Sequence, residues 1–418
     1  MNIALITDDF LPSSGGITNV LVNVSKRLNK KGDSVYVLNG TMEKHESLYY
    51  NILESKKTIK DLKNQDVEFF LFCLRLLIKL LFTFKNLKLN ERIKLAFFYC
   101  MYPKKFVNRI LSIKNLVNFF KNVKIDVILS GKAAHPLIYS YILSNWFNIP
   151  VSVIAHGDDF LIDYPLNVDS IIFQKIDKII VTNKIMKHLL INIHKVSQEK
   201  VKIIHLGVDI TESKISKTKK QLREKHHISQ ESFLILTVSR FYPRKGFQTV
   251  IRALNLLKEE NPEILIKYYI IGTGEEKSKI EKLVKKLNLK DRVSFLGFVS
   301  ERLKNEFYKM ADLFVLVPEV KKGSIEGFGI VYLEANFFKV PVIGSYSGGV
   351  KIAVKDGKTG FLIKPNNEKK LKEKMVFLYQ HEKLRKELGE LGHKRVLKKF
   401  DWDKNAIKYR KLLNKLVE

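Results

Sequence analysis

The feature that most limits how this chain can fold is a rhythm of short apolar runs, each followed by a stretch with helical spacing. The first run is NIALIT (2–7); two glycines and an amphipathic stretch over 16–30 come next. SVYVLN (34–39), DVILS (126–130), VSVIA (151–155), KIIVT (178–182) and VKIIH (201–205) continue the series. Such runs are apolar on both faces, so they fit parallel strands covered by helices on each side. The polar stretch DITESKISKTKK (209–220) breaks the rhythm and reads as a linker. The pattern then restarts with FLILTVS (233–239), LIKYYIIG (265–272), RVSFLG (292–297), LFVLV (313–317) and PVIGS (341–345). Two successive doubly wound α/β domains follow, one over 1–208 and one over 209–396, and 418 residues suffice for two cores.

With 45% hydrophobic residues, 28% charged residues and only ten prolines, the chain is globular rather than of low complexity. Its net charge of +31 favours anionic partners: nucleic acid, an acidic membrane surface or a phosphorylated substrate. Cys73 and Cys100 are the two cysteines, which make no disulfide framework and fit a reducing compartment. Met1 leads straight into the first apolar run, so no signal peptide is expected.

Parallel sheets bind ligands outside the carboxyl ends of their strands, and that rule selects residues. After the first run comes DDFLPSSGGITNV, where Gly15 and Gly16 lack side chains and a ligand can approach the amides that open the next helix. A plain turn explains them equally well. Asp8 and Asp9 read as a hydrogen-bonding pair at the helix entry rather than as metal ligands. His156 follows the run 151–155 in AHGDDF, placed to touch a sugar hydroxyl or a reacting centre; a structural loop histidine is the competing reading. SRFYPRKGF follows 233–239. Its Arg240 and Lys245 suit a diphosphate, one as a planar fork and one as a point charge, with Arg244 as a substitute and a solvated surface as the alternative. GTG (272–274) lacks the third glycine of a dinucleotide fingerprint. DWD (401–403) has no strand before it and reads as a helix cap.

The segment KKGSIEGFGIVYLEAN (321–336) carries the most chemistry. It follows a strand and a loop over 318–327, and a helix is expected from about Phe328. That helix is apolar nearly all round, which predicts burial. A buried carboxylate needs a partner, and ligand hydroxyls would serve Glu334. Glu326 stands at the helix entrance beside the amides of 327–329, which can hold a phosphate. The alternative is that both glutamates pair with lysines.

Taken together, Glu326-x7-Glu334 around GFG, SR-x4-KG from Arg240 to Gly246, GGI at 15–17, His156-Gly157, SGG at 347–349 and DGKTG at 356–360 resemble the family-4 retaining glycosyltransferases of the GT-B fold. Among these the chain is most similar to phosphatidylinositol mannosyltransferases and bacterial polysaccharide or lipid mannosyltransferases. The resemblance implies two Rossmann-like domains facing across a cleft, with residues 397–418 as a helix that returns to the first. It implies a nucleotide diphosphate sugar donor, GDP- or UDP-linked, held by Gly15, Gly16, Arg240, Lys245, Gly327, Phe328, Gly329, Ile330 and Glu334. His156, Arg240, Lys245 and Glu326 would be the catalytic set: His156 near the reacting carbon, the two cations on the diphosphate, and Glu326 on sugar hydroxyls. No metal and no further cofactor are expected. Three features depart from the family pattern: Val350, Lys351 and Ile352 follow SGG, Lys339 replaces a glycine before Val-Pro, and the loop 318–325 lacks a Pro-Ser start. These bear on the donor sugar more than on the fold.

For the acceptor, the stretch VEFFLFCLRLLIKLLFTFK (67–85) stands out: it is nearly all apolar, with Glu68, Arg75 and Lys79 on one narrow face. Between Glu68 and Lys85 a helix would be about 24 Å long, short of a bilayer core of about 30 Å. Residues 60–125 hold 14 Lys or Arg against 4 Asp or Glu. An apolar helix in basic surroundings reads as interfacial contact with an anionic membrane, and a core helix with a lysine-rich outer face explains it as well. The expectation is a cytoplasmic enzyme, peripheral on the inner face of the membrane, with a lipid-linked or saccharide acceptor. Nucleic-acid binding would explain the charge but gives Glu334 no task. An NAD enzyme lacks its fingerprint, and another nucleotide-sugar enzyme such as an epimerase is the nearest rival.

Overall fold

The structure is a computed structural model that describes residues 1–11, 15–39, 51–53, 88, 90–91, 103–161, 168–210, 215–321 and 324–418. The chain divides into two compact units, Met1–Ile204 with Asp403–Glu418, and His205–Trp402.

The first unit is built on a seven-stranded sheet: β1 (Asn2–Thr7), β2 (Ser34–Asn39), β3 (Asn51–Leu53), β4 (Val127–Ser130), β5 (Val151–Ala155), β6 (Lys178–Val181) and β7 (Val201–Ile203). Their order is β3-β2-β1-β4-β5-β6-β7, and every pairing is parallel. Ile3, Ala4, Leu5 and Ile6 of β1 are fully buried, as runs apolar on both faces require. The chain leaves β1 for β2 on one side and reaches β4 on the other. The loops after β1 and β4 therefore flank the point where a doubly wound sheet opens a crevice. The closing helix Trp402–Val417 is tied to this unit by Asp403, 2.8 Å from Arg27, and by Arg410, 2.8 Å from the buried Asp33.

The second unit has six parallel strands: β8 (Phe233–Val238), β9 (Ile266–Ile271), β10 (Val293–Gly297), β11 (Leu313–Val315), β12 (Val342–Ser345) and β13 (Gly360–Ile363), in the order β10-β9-β8-β11-β12-β13. Here the switch lies between β8 and β11, so the loops after those two strands meet.

Several expectations shift by a few residues. β3 and β13 were not foreseen, because one is three residues long and the other hides behind the glycine turn DGKTG. The division falls after Ile204 rather than 208, because Val208 is hydrogen-bonded to Phe400 at 2.7 Å and bridges to Asp401. Lys339 has φ +63°, the left-handed conformation for which a glycine is the usual choice. There it closes the helix Ile330–Phe337: Lys339 N–H donates to Asn336, and Val340 N–H donates to Ala335. The stretch 67–85, with both readings given for it, lies outside the described residues. Among the described residues no helix is long and apolar enough to cross a membrane.

Candidate active site

In the second unit two glycines force the loop after β8 into place. Gly272 presses on the end of β8; a Cβ there would lie 2.0 Å from the Ser239 carbonyl oxygen. The loop then makes a short turn, Pro243–Lys245, and ends at Gly246 with φ +73°. A Cβ at Gly246 would lie 2.1 Å from the Val317 carbonyl oxygen, so only glycine lets this loop pass so close to the segment leaving β11.

That close approach assembles a charge cluster. Lys245 Nζ lies 2.6 Å and Arg244 Nη1 3.0 Å from the same Glu326 oxygen, Oε2, and all three side chains are largely buried. Burial alone would raise the Glu326 carboxyl, but Lys245 and Arg244 outweigh it and hold it at about 2. Glu326 is thus ionised at neutral pH. Its contribution to stability is present above the ordinary carboxylate range and is lost as the pH falls towards 2. Burial, aided by the neighbouring Arg244, pushes the Lys245 ammonium down, against the pull of Glu326. Arg240 remains exposed, stacks over the Tyr242 ring at 4.8 Å and pairs with no carboxylate among the described residues. Three cations against one carboxylate leave an excess of positive charge that suits a diphosphate.

The helix carrying Glu334 starts at Ile330, two residues later than expected: Gly329 takes φ +85°, and no described side chain caps the helix. Its first amides are therefore open to an acceptor group. Phe328 is buried, its ring 5.8 Å from that of Phe400, so any donor contact there must come through its backbone. The turn Ser347–Gly349 braces this entrance: Gly349 N–H donates to the Glu326 carbonyl at 2.7 Å. Glu334 finds partners within the protein itself. Tyr308 donates to its Oε2 at 2.8 Å, and Lys304 lies 3.4 Å from Oε1. Burial lowers the Lys304 ammonium, but Glu334 and Glu301 outweigh it and raise it. Burial and Glu334 push the Tyr308 hydroxyl well up, which keeps its proton in place. Both glutamates thus pair with lysines, the alternative left open above. Lys304 and Tyr308 escaped the sequence reading, although four residues apart on the helix Glu301–Met310 they share one face.

In the first unit, no described side chain caps helix Gly16–Lys30. Gly15 is extended, and a Cβ at Gly16 would meet no described atom within 4 Å. The His156 ring nitrogen Nε2 lies 2.8 Å from the Gly131 carbonyl. Asp8 and Asp9 both hold Lys132, at 2.7 and 2.6 Å, which supports their reading as a bonding pair. Burial works against the Lys132 ammonium, but the two carboxylates outweigh it and raise it. Among the described residues no cluster of His, Cys, Asp and Glu could hold a metal ion. The hollow of about 270 Å³ lined by Tyr242, Gly246, Arg252, Glu276, Lys321 and Asn366 includes neither Lys245 nor Glu326. Shape and charge disagree about the site, and the buried ion cluster is the better guide because ionised groups are seldom buried without a task.

Residues 14–212 match the family described as Glycosyltransferase Family 4, and residues 218–395 match Glycosyl transferases group 1. An uncharacterized glycosyltransferase of Methanocaldococcus jannaschii is 31% identical over 306 residues, which is 72% of this chain and 78% of that protein. The trehalose synthase of Thermococcus litoralis is 31% identical over 233 residues, 52% of this chain and 54% of its own length. Among solved structures, an Anabaena protein in complex with UDP-glucose superposes with a TM-score of 0.73 at 18% identity, covering 99% of this chain and 100% of its own. The fold is that of the GT-B enzymes.

Proposed function

The chain belongs to the glycosyltransferases, with a family 4 segment followed by a group 1 segment. From that premise we propose that it moves a hexose from a nucleotide diphosphate sugar to a lipid-linked or saccharide acceptor, with retention of configuration. The observation that carries this reading is the cluster of Arg244, Lys245 and Glu326 beside Arg240 and the uncapped helix at Gly329. In this reading the diphosphate draws Lys245, Arg244 and Arg240 to itself, and the amides at Gly329 and Ile330 add to the cradle. Glu326, sharing its cations with the diphosphate, accepts hydroxyls of the sugar. Glu334 accepts the ribose hydroxyls, with Tyr308 and Lys304 fixing its oxygens. For the first unit, the family resemblance alone supplies the roles: Gly16 for a phosphate and His156 for the sugar near its reacting carbon. As the bond from that carbon to the phosphate oxygen breaks, charge grows on the diphosphate. Preorganised cations there supply the largest share of the rate. The acceptor oxygen bonds to the same face of the carbon, and its proton passes to the departing phosphate. The Anabaena structure with UDP-glucose favours a hexose donor of the UDP class, while the sequence motifs favour mannose.

A donor screen tests this directly. GDP, UDP, NAD and an oligonucleotide are compared by thermal shift, and the product of the stabilising nucleotide sugar is analysed for its anomeric configuration. One nucleoside diphosphate is expected to stabilise the protein, the product is expected to keep the donor's configuration, and EDTA is expected to leave the rate unchanged. Stabilisation by NAD or the oligonucleotide alone, an inverted product, or EDTA inactivation reversed by manganese would each count against the reading.

The net charge of +31 favours an anionic membrane surface as the place of action. Vesicles rich in anionic lipid should float with the protein, less so as salt rises, because exposed charges are screened within about 8 Å at physiological ionic strength. Absence of flotation at low salt removes the membrane from the proposal and leaves a soluble saccharide as acceptor.

A further inference from the structure

We propose that Asp159 is a positioning residue that sets the proton of His156, and that His156 meets its ligand as a hydrogen-bond acceptor through Nδ1. The first observation is at the ring. Nε2 of His156 lies 2.8 Å from the carbonyl oxygen of Gly131, which can only accept, so Nε2 carries the proton. In the neutral ring Nδ1 is then a bare lone pair, and no described residue bonds it. Such a nitrogen takes a hydroxyl donor. It cannot donate to an ether or carbonyl oxygen unless the ring becomes charged.

The second observation concerns what fixes the carbonyl and the ring in register. Gly131 is locked on β1: its N–H donates to Ile6 at 2.8 Å, and a Cβ would strike Thr7 and Leu21 at 2.8 Å. Asp159 fastens the other side. Its Oδ1 accepts the amides of His156 and Gly157, each at 2.8 Å. Its Oδ2 accepts the amide of Ala133 at 3.1 Å, from the loop after β4. A side chain that only reached back to the start of its own helix would need just the two nearby amides. The third, 26 residues away in the chain, makes the carboxylate a clamp between the loop that carries His156 and the loop that carries Gly131. A carboxylate is suited to this because it only accepts, with two oxygens facing opposite ways, whereas an amide must turn donors towards one of the loops.

The test reads the proton and the rate separately. The full chain is labelled with ¹⁵N-histidine, and the His156 signals are those missing from His156→Gln. Long-range proton–nitrogen correlation should show the Nε2–H form in the wild type. Asp159→Asn should give a mixture of both forms, lower kcat by about tenfold or more, and leave nucleoside diphosphate affinity within about threefold. An Nδ1–H form in the wild type, or an unchanged tautomer in a folded Asp159→Asn, overturns the proposal. Should that variant not fold, hydrogen exchange in the wild type decides: slow exchange at the Ala133, His156 and Gly157 amides supports the clamp, and rapid exchange at any of them refutes it. The effect on kcat rests on the transferase reading, whereas the tautomer and the exchange rates need no substrate, so the two ideas fail separately.

Discussion

Lys245→Ala is expected to lower turnover by about 10²–10³, the usual cost of losing one preorganised donor to a developing oxyanion. Glu326→Gln should also depress transfer, but with the opposite sign on binding. In the wild type the Glu326 carboxylate competes with the ligand for Lys245 and Arg244, which lie 2.6 and 3.0 Å from its Oε2. Removing that charge frees both cations, so Glu326→Gln should bind the nucleoside diphosphate more tightly. Lys245→Ala should bind it more weakly. Arg244 still faces Glu326 in Lys245→Ala, so the carboxylate is not left wholly unpaired, and the loss of stability should be smaller than the 3–5 kcal/mol, roughly, of a broken buried pair. Calorimetric titration with GDP and UDP, beside initial rates, separates these outcomes. If both variants bind more weakly, the carboxylate serves to hold the cations in place for the phosphates rather than to compete with them. Near-normal turnover in Lys245→Ala would remove the cluster from the chemistry.

How much of this was legible in the sequence follows from the range over which each signal acts. The strands were, because fully buried parallel strands write uninterrupted apolar runs such as Ile3–Ile6 and Leu234–Leu236. The glycine-rich helix entrance at 327–329 was too, since a left-handed residue such as Gly329 announces itself as glycine. What escaped were partners brought in by topology. That Lys304 and Tyr308 grip Glu334 depends on how the helix Glu301–Met310 packs, and that Lys132 bridges Asp8 and Asp9 depends on β4 lying beside β1. Asp159 hid in a run that looked like plain helix entry, because its third bond reaches a loop 26 residues earlier. Lys339 shows the converse. The sequence flagged it as a departure from a family glycine, and the backbone explains why glycine is usual there.

A pair of glycines offers the cleanest test of what holds Glu326 in position. Gly348 and Gly357 both lie in the left-handed region, at φ +46° and +68°, so alanine at either costs about 1–2 kcal/mol of backbone strain. Their surroundings differ. A Cβ at Gly357 meets no described atom within 4 Å, whereas at Gly348 it would lie 2.3 Å from the Glu326 carbonyl oxygen. Neither atom in that contact is the tip of a flexible side chain, so the backbone of Glu326 itself must move. Its carbonyl is also the acceptor for Gly349 N–H, so the displacement carries into the brace that fixes the segment. A shift of about 1 Å in a group that touches the substrate costs on the order of a hundredfold in rate. Gly357→Ala should therefore lower the melting temperature by a few degrees and leave turnover nearly unchanged. Gly348→Ala should lower the melting temperature by at least as much and reduce kcat about a hundredfold. The difference between the two variants, rather than either alone, measures the contact, because the strain is common to both. Equal losses of turnover would mean that strain alone explains the effect, and a Gly348→Ala enzyme within threefold of wild type would show that the turn at Ser347–Gly349 does not position Glu326.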